Sequence, residues 1–149
     1  MQTVFDEYHA AIDKLIDVQK RLMDEWGYRD ADHKNGYSKA FFTINFCSVT
    51  CDIGRQTGKT EYIKKRLKPG ESIVIVKDEK SAMQSRSVGI PDGLVLTVDD
   101  IFRCYRHEAL KYKTVFIDNA SLFLNDENFK YRLYDYLAKD HDTMFVLLG

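Results

Sequence analysis

The fold of this chain is decided by the segment Ser48-Val-Thr-Cys-Asp-Ile-Gly-Arg-Gln-Thr-Gly-Lys-Thr60. Its first part predicts a strand over 48–53, and the residues from Lys59 to Leu67 predict a helix. The loop between a strand and a helix presents backbone N–H groups at the positive end of the helix, which favours the binding of phosphate. The segment therefore predicts a phosphate-binding loop over 53–60.

The carboxyl-terminal half of this loop follows the P-loop pattern G-x-x-x-x-G-K-[S/T]. Gly58 lets the backbone approach phosphate closely, Lys59 offers an ammonium group to the β- and γ-phosphates, and Thr60 offers a hydroxyl group to Mg²⁺. Ile53 occupies the place of the first glycine. We expect ATP and Mg²⁺ as ligands, bound by Gly54, Arg55, Gln56, Thr57, Gly58, Lys59 and Thr60. The alternative is a chance Gly-Lys-Thr at the start of a helix.

A second motif lies at residues 114–120, where an apolar strand ends in an acid. This form is typical of a Walker B motif, in which the carboxylate, here Asp118, holds Mg²⁺ through water. The alternative is that Asp118 is a turn or cap residue. Asn119 follows, and an amide side chain cannot act as a general base. Hydrolysis is then slow, or Asp126 or Glu127 supplies the base, or ATP acts as a switch without turnover.

Short apolar segments alternate with helical segments along the rest of the chain. Strands are predicted at 48–53, 72–77, 94–98, 114–117 and 143–148, and helices at 3–26, 59–67, 79–86, 99–110 and 126–139. Residues 40–46 fit a strand or the end of a helix. This alternation predicts an α/β fold with a mainly parallel sheet between two layers of helices. We expect an N-terminal helix and connection at 1–36 and the core at 37–149.

The N-terminal helix is expected to bury one apolar stripe. Its members recur at spacings of three and four residues, and they are Val4, Tyr8, Ala11, Leu15, Val18 and Leu22. Three further apolar residues, Ile12, Ile16 and Met23, widen this stripe.

On these motifs the chain resembles the motor domain of phage large terminases and of superfamily 1 and 2 helicases. Residues 54–60, Gly-Arg-Gln-Thr-Gly-Lys-Thr, are similar to the terminase P-loop, which often reads Ser-Arg-Gln-x-Gly-Lys-Thr and also lacks the usual first glycine. Residues 72–82 and 96–102 are similar to helicase motifs Ia and Ib. Residues 115–120 match motif II except at Asn119, where motors usually carry Glu. Residues 145–149 end where motif III begins.

The resemblance implies a RecA-like P-loop NTPase fold and an ATPase that acts in DNA packaging or DNA metabolism, as in viruses. It implies a role for Arg55 at the γ-phosphate, so that Arg55, Lys59, Asp118 and Asn119 form the expected catalytic set, with Thr60 and Asp118 at the metal. It also points to loops near motifs Ia and Ib as DNA contacts, with Lys77, Lys80 and Arg86 as candidates. The sequence covers one motor lobe, so we expect either a lobe that works by self-assembly or with a protein partner, or a fragment of a longer chain.

The amino-acid composition limits the kinds of partner and compartment that we expect for this chain. The net charge of −1 argues against a protein that coats nucleic acid through bulk charge. A local cluster at Lys64, Lys65, Arg66 and Lys68 either contacts a phosphate backbone or forms a solvated helix face. Three cysteines without a CxxC pair are expected to be reduced, as in a cytoplasmic protein, which is the host cytoplasm for a viral one. No apolar run is long enough to predict a membrane helix.

Two other functions remain open. The first is a nucleotide-gated module, in which ATP orders a surface that a protein partner reads, with little or no hydrolysis. The second is a small phosphotransferase such as a nucleoside kinase, although such enzymes have the first glycine and an arginine-rich lid. The residues of 128–137 include Tyr131, Tyr134 and Tyr136, which we expect either in the core or on a partner surface.

Overall fold

A computed structural model describes residues 4–25, 39–51, 58–104, 112–118, 120, 124, 126–137 and 143–149. The helices in this part of the chain are α1 (Val4–Glu25), α2 (Lys39–Phe46), α3 (Lys59–Arg66), α4 (Glu79–Ser87), α5 (Val98–Cys104) and α6 (Glu127–Leu137). The strands are β1 (Ser48–Cys51), β2 (Ser72–Val76), β3 (Val95–Thr97), β4 (Thr114–Asp118) and β5 (Met144–Leu148). The boundary predicted at residue 36 lies outside the described residues.

The strands of the described residues form one five-stranded sheet in the order β1-β5-β4-β2-β3. Every neighbouring pair is parallel. β2 and β5 are buried along their whole length, which is typical of a parallel sheet covered on both faces. The predicted α/β fold with a parallel sheet and an N-terminal helix is therefore confirmed.

Alternate residues of each strand face opposite layers of helices. Ile73 and Ile75 of β2 belong to one core together with residues of α5 and α6. Val74 and Val76 belong to a second core, to which α1, α3 and α4 contribute. The described residues thus form three layers with two cores, and the sheet lies between them.

The chain leaves two neighbouring strands toward opposite faces of the sheet. β2 is followed by α4 and β4 by α6, and these helices belong to different cores. Diverging connections of this kind leave a crevice outside the carboxyl ends of the strands, where α/β proteins commonly bind ligands. The residues at the crevice are Val76, which ends β2, and Asp118, which ends β4.

The buried face of α1 agrees with the predicted stripe in part. Val4, Tyr8 and Leu15 of the predicted stripe are exposed. The buried residues are His9, Ile12 and Met23, with Ile16 packed against the same core. Ile12, Ile16 and Met23 were predicted members of the stripe, so this part of the prediction is confirmed. Hydropathy alone left out His9, because this histidine is buried through a hydrogen bond to the start of α3, which an apolar pattern does not reveal.

Two local features concern the helices. Residues 40–46, for which strand and helix were both open, belong to α2. α5 is preceded by Thr97, whose hydroxyl accepts from the Asp100 N–H while the Asp100 carboxylate accepts from the Thr97 N–H. This reciprocal pair is a capping box, and it accounts for the helix that begins at Val98.

Tyr134 is a core residue, so the hypothesis of a partner surface there is wrong for this side chain. It is fully buried, and its ring stacks on Phe145 with 4.3 Å between centroids. Its hydroxyl lies 2.9 Å from the Ser48 hydroxyl, which satisfies the polar tip that burial would otherwise leave unpaired. Tyr131 is exposed and Tyr136 is partly buried against the same core.

Candidate functional site

A pocket of about 120 Å³ occupies the crevice at the carboxyl ends of β2 and β4. It is bounded by the start of α3, the ends of the two strands and one side of α4. Its lining residues are Thr60, Val76, Ser81, Gln84, Ser85, Val88 and Asp118. Hydroxyl, amide and carboxylate groups thus face one small space, which suits a polar ligand.

Two residues predicted as metal ligands meet in this pocket. Thr60 is the second residue of α3 and Asp118 is the last residue of β4. The Thr60 hydroxyl donates to Asp118 Oδ2 at 3.4 Å, and Asp118 is only 7% exposed. The strands that precede these residues, β1 and β4, are separated by β5, so the sheet order brings the two motifs together from distant parts of the chain.

The Thr60 and Asp118 oxygens fit Mg²⁺ bound to a phosphate ligand. An ion that contacts the Thr60 hydroxyl directly and the Asp118 carboxylate through a bound water requires these two side chains to lie close together, as they do here. Among the described residues no group of three His, Cys, Asp or Glu side chains is placed to hold a metal ion.

Gly58 has a backbone conformation that favours glycine. It is the N-cap residue of α3 with φ of 73°, in the left-handed region. A Cβ atom at this position would lie 3.1 Å from His9 Nε2 and 3.5 Å from the ring of Phe5. The glycine of the predicted loop is therefore required both by backbone geometry and by the close approach of α1.

The Gly58 carbonyl group is held from two sides. It accepts a hydrogen bond from the Tyr62 N–H at 2.8 Å and one from His9 Nε2 at 3.0 Å. A carbonyl oxygen only accepts, so His9 carries its proton on Nε2 in this arrangement. In a trans peptide the N–H points opposite to the C=O, so the Lys59 N–H points away from the body of α3. That is the direction in which a phosphate-binding amide must point.

α1 is bound to α3 by a network that extends from His9. The His9 and Tyr62 rings are in edge contact at 5.4 Å, and the Tyr62 hydroxyl donates to Asp13 at 2.8 Å. Arg66 donates to both carboxylate oxygens of Asp13 and lies over the Tyr62 ring. These contacts run along the length of α3 and hold α1 beside the helix that carries Lys59 and Thr60.

The network changes the pKa values of its members. Burial raises the pKa of Asp13, but hydrogen bonds from Arg66 and Tyr62 outweigh this effect, and the net pKa is lowered. The hydrogen bond to Asp13 raises the pKa of Arg66. Burial first, and then the hydrogen bond to Asp13, raises the pKa of Tyr62. The Asp13–Arg66 pair is therefore ionised at neutral pH.

The structure brings together Gly58, Lys59 and Thr60 at the start of α3 and places Asp118 beside them. The other predicted site residues, Ile53, Gly54, Arg55, Gln56, Thr57 and Asn119, lie outside the described residues. Of the acids considered as a substitute base, Asp126 caps α6 by accepting from the Asn128 N–H at 2.9 Å. Neither Asp126 nor Glu127 lines the pocket.

His9 was missed as a site residue because its spacing to the other histidines shows no metal pattern. One signal was available in the sequence. His9 and Asp13 are four residues apart in a predicted helix, so they lie on the same face, and both are polar. Two hydrogen-bonding residues on one face indicate that the face meets polar groups.

The chain matches no model of a known protein family, and no curated protein resembles it at a significant level. Within the described residues, no helix has the length and apolar character needed to cross a membrane.

Proposed function

We propose that this chain is a P-loop ATPase of terminase and helicase type, with a RecA-like fold, that acts in DNA packaging or DNA metabolism. The observation that carries the proposal is the meeting of Thr60 and Asp118 at 3.4 Å. A Gly-Lys-Thr sequence at the start of a helix is common, but here its hydroxyl also faces a buried acid, Asp118, which ends β4. Both residues also line a pocket at the position where parallel sheets bind ligands.

Each residue has a distinct role in the proposal. The Lys59 ammonium group binds the β- and γ-phosphates, and the loop amides of residues 54–60 bind phosphate oxygens. Thr60 and Asp118 hold the Mg²⁺ ion, which neutralises charge on the β- and γ-phosphates. Arg55 stabilises the charge that develops during phosphoryl transfer, in its own subunit or in a neighbouring one.

The contact between His9 and Gly58 supports this assignment. A hydrogen bond to the Gly58 carbonyl group fixes the peptide whose N–H belongs to Lys59. It also polarises that peptide, which strengthens the N–H as a donor to phosphate. Under the proposal, His9 is a positioning residue that keeps the start of α3 ready for the nucleotide.

ATP turnover by the purified protein tests the proposal, measured with and without single- and double-stranded DNA. We expect Mg²⁺-dependent turnover that rises with DNA and falls about a hundredfold or more in Lys59→Ala, because the main phosphate-binding cation is lost. Lys65→Ala is the matched control, since Lys65 lies on the exposed side of the same helix. Equal turnover in Lys59→Ala and in the control would contradict the proposal.

Asn119 favours a second candidate function, a nucleotide-gated module that regulates a protein partner. It follows Asp118, where motors usually carry a Glu that acts as the base, and an amide cannot take that role. In this case ATP binds without turnover and orders a surface that the partner reads. Asn119→Glu distinguishes the two candidates. If the module is correct, the wild type binds ATP without hydrolysis and the variant gains turnover.

A further inference from the structure

A second pocket lies at the opposite edge of the sheet, at the amino-terminal ends of β2 and β4. Its volume is about 220 Å³, and it is lined by Lys20, Arg66, Lys68, Glu71, Ser72, Lys113 and Thr114. Four of these side chains are cationic and one is a carboxylate. The chain as a whole has a net charge of −1, so this excess of positive charge is local.

The cations are brought together by the fold. Lys20 belongs to α1, Arg66 ends α3, Lys68 follows it, and Lys113 immediately precedes β4. Lys20 and Lys113 are far apart in sequence and meet only because α1 packs beside α3 and β4 pairs with β2. The four cations are therefore not the charged side of one solvated helix.

The segments that carry these charges are held by hydrogen bonds. The Lys68 N–H donates to the Ser72 hydroxyl at 2.7 Å, and the Lys113 N–H donates to the Glu71 carbonyl at 2.8 Å. Arg66 is held by Asp13 and by the ring of Tyr62. Lys20, Lys68 and Lys113 form no ion pair with any described residue. Within the described part of the chain, their charges are therefore not neutralised by an ion pair.

Other basic residues differ from these four. Arg86, a candidate from the helicase resemblance, is paired with Glu79 at 2.8 Å and with Asp92 at 2.5 Å. Lys64 and Lys65, from the basic cluster seen in the sequence, do not line the pocket. The structure divides that cluster, because Arg66 and Lys68 face the pocket.

We propose that this amino-terminal pocket binds phosphate groups of a nucleic-acid backbone. Convergent Lys and Arg side chains with hydroxyl groups match the charge and the hydrogen-bonding pattern of phosphate. None of the lining residues is aromatic, so the pocket offers no surface on which a base can stack. The pocket therefore recognises the backbone without preference for sequence. The proposal rests on the proposed function only for the choice of DNA, since the charges do not depend on ATP.

Fluorescence anisotropy with short labelled single- and double-stranded DNA tests the proposal in the full chain. We expect the triple variant Lys20→Ala/Lys68→Ala/Lys113→Ala to bind at least about tenfold more weakly than the wild type, with a salt dependence lower by about two to three counterions. The matched control is Lys14→Ala/Lys65→Ala/Lys130→Ala, which removes the same charge outside the pocket. Equal losses in the two triple variants would overturn the proposal.

A variant that increases the affinity for DNA is informative because a misfolded protein would not bind DNA more tightly. Glu71→Gln removes the carboxylate of the pocket, so DNA binding should become a few times tighter. Weaker or unchanged binding by Glu71→Gln would overturn the proposal. Lys59→Ala should bind DNA like the wild type, because its site lies at the other edge. This result keeps the two proposals separate, since ATP binding can fail while DNA binding persists.

Competition with inorganic phosphate distinguishes a polymer from a free anion. We expect millimolar phosphate to displace DNA only as much as chloride of equal ionic strength does, because a backbone engages several cations at once. Specific displacement by inorganic phosphate would instead assign the pocket to a free phosphate ligand and would overturn the backbone proposal.

Discussion

The two ends of strands β2 and β4 differ in chemistry although they belong to the same buried sheet. The carboxyl ends lie near Gly58, the Thr60 hydroxyl group and the buried carboxylate of Asp118. The amino ends lie beside four cationic side chains. The ends of β2 are about 13 Å apart, given the rise of a parallel strand. The carboxyl edge suits a metal ion with phosphate, and the amino edge suits phosphate alone. The comparison shows that a parallel sheet can separate two pockets of different chemistry by the length of one strand.

The largest expected effect comes from removing the acid at the carboxyl edge, which tests whether the two edges act independently. In Asp118→Asn the carboxylate beside Thr60 is lost, so Mg²⁺-dependent ATP turnover should fall about a hundredfold. DNA binding at the amino edge should be unchanged in the same protein. Asp126→Asn is the control, since that carboxylate caps α6 and does not line the pocket. A parallel loss of both activities in Asp118→Asn would mean that the two edges are not independent.

The next largest effect concerns the glycine of the carboxyl edge. Gly58→Ala places a side chain in the left-handed region and brings its Cβ to 3.1 Å from His9 Nε2. The left-handed conformation alone costs about 1–2 kcal/mol in the free energy of unfolding. Gly70→Ala is the matched control, because Gly70 also has positive φ but no atom within 4 Å of an added Cβ. Urea unfolding should show a larger loss for Gly58→Ala, and an equal loss would argue against the tight contact with α1.

Substitution of His9 tests whether α1 positions the nucleotide loop. His9→Phe keeps a ring against Tyr62 but removes the donor to the Gly58 carbonyl, so ATP affinity should fall about threefold to tenfold. His9→Gln retains an N–H donor and should recover part of this loss. Titrations of labelled ATP provide the measurement, with urea unfolding to correct for stability. If Phe and Gln variants bind ATP equally, the hydrogen bond has no role in positioning.

The smallest expected effect is a dependence of stability on pH. Hydrogen bonds from Arg66 and Tyr62 hold the pKa of Asp13 below the ordinary value of an aspartate, so its ion pair with Arg66 stabilises the fold fully above that ordinary value and is lost as the pH falls through the lowered pKa. The Asp13 side chain is 47% exposed, so the contribution is about 1 kcal/mol or less. The stability difference between the wild type and Asp13→Asn should therefore vanish in acid. A difference that persists below the titration range would contradict the pairing.

The fold was largely predictable because its signals are local. The β-branched run of β2 and the apolar strand before Asp118 each predict a buried strand from a few adjacent residues. The residues Gly58, Lys59 and Thr60 were likewise found from one short pattern. The meeting of Thr60 with Asp118 was an expectation that depended on the order of strands, which periodicity cannot supply.

Features made by packing between distant segments were not predictable in this way. His9 was left out of the predicted face of α1 because it is buried through a hydrogen bond to Gly58 rather than through its hydropathy. Tyr134 was considered for a surface because a tyrosine pattern does not show that Ser48 pairs with its hydroxyl. The amino-terminal pocket joins Lys20 to Lys113, and no sequence motif links these residues.

The central claim is that a metal–nucleotide complex binds at the carboxyl edge, beside Thr60 and Asp118. It is tested most directly by NMR with ATP and Mn²⁺ in place of Mg²⁺, because the paramagnetic ion broadens nearby resonances with a steep dependence on distance. We predict that the amide resonances of Thr60 and Asp118 broaden most and that those of Ser72 and Thr114 broaden less. In Lys59→Ala, this broadening should be absent. Broadening that is absent, or strongest at Ser72 and Thr114, would contradict the claim.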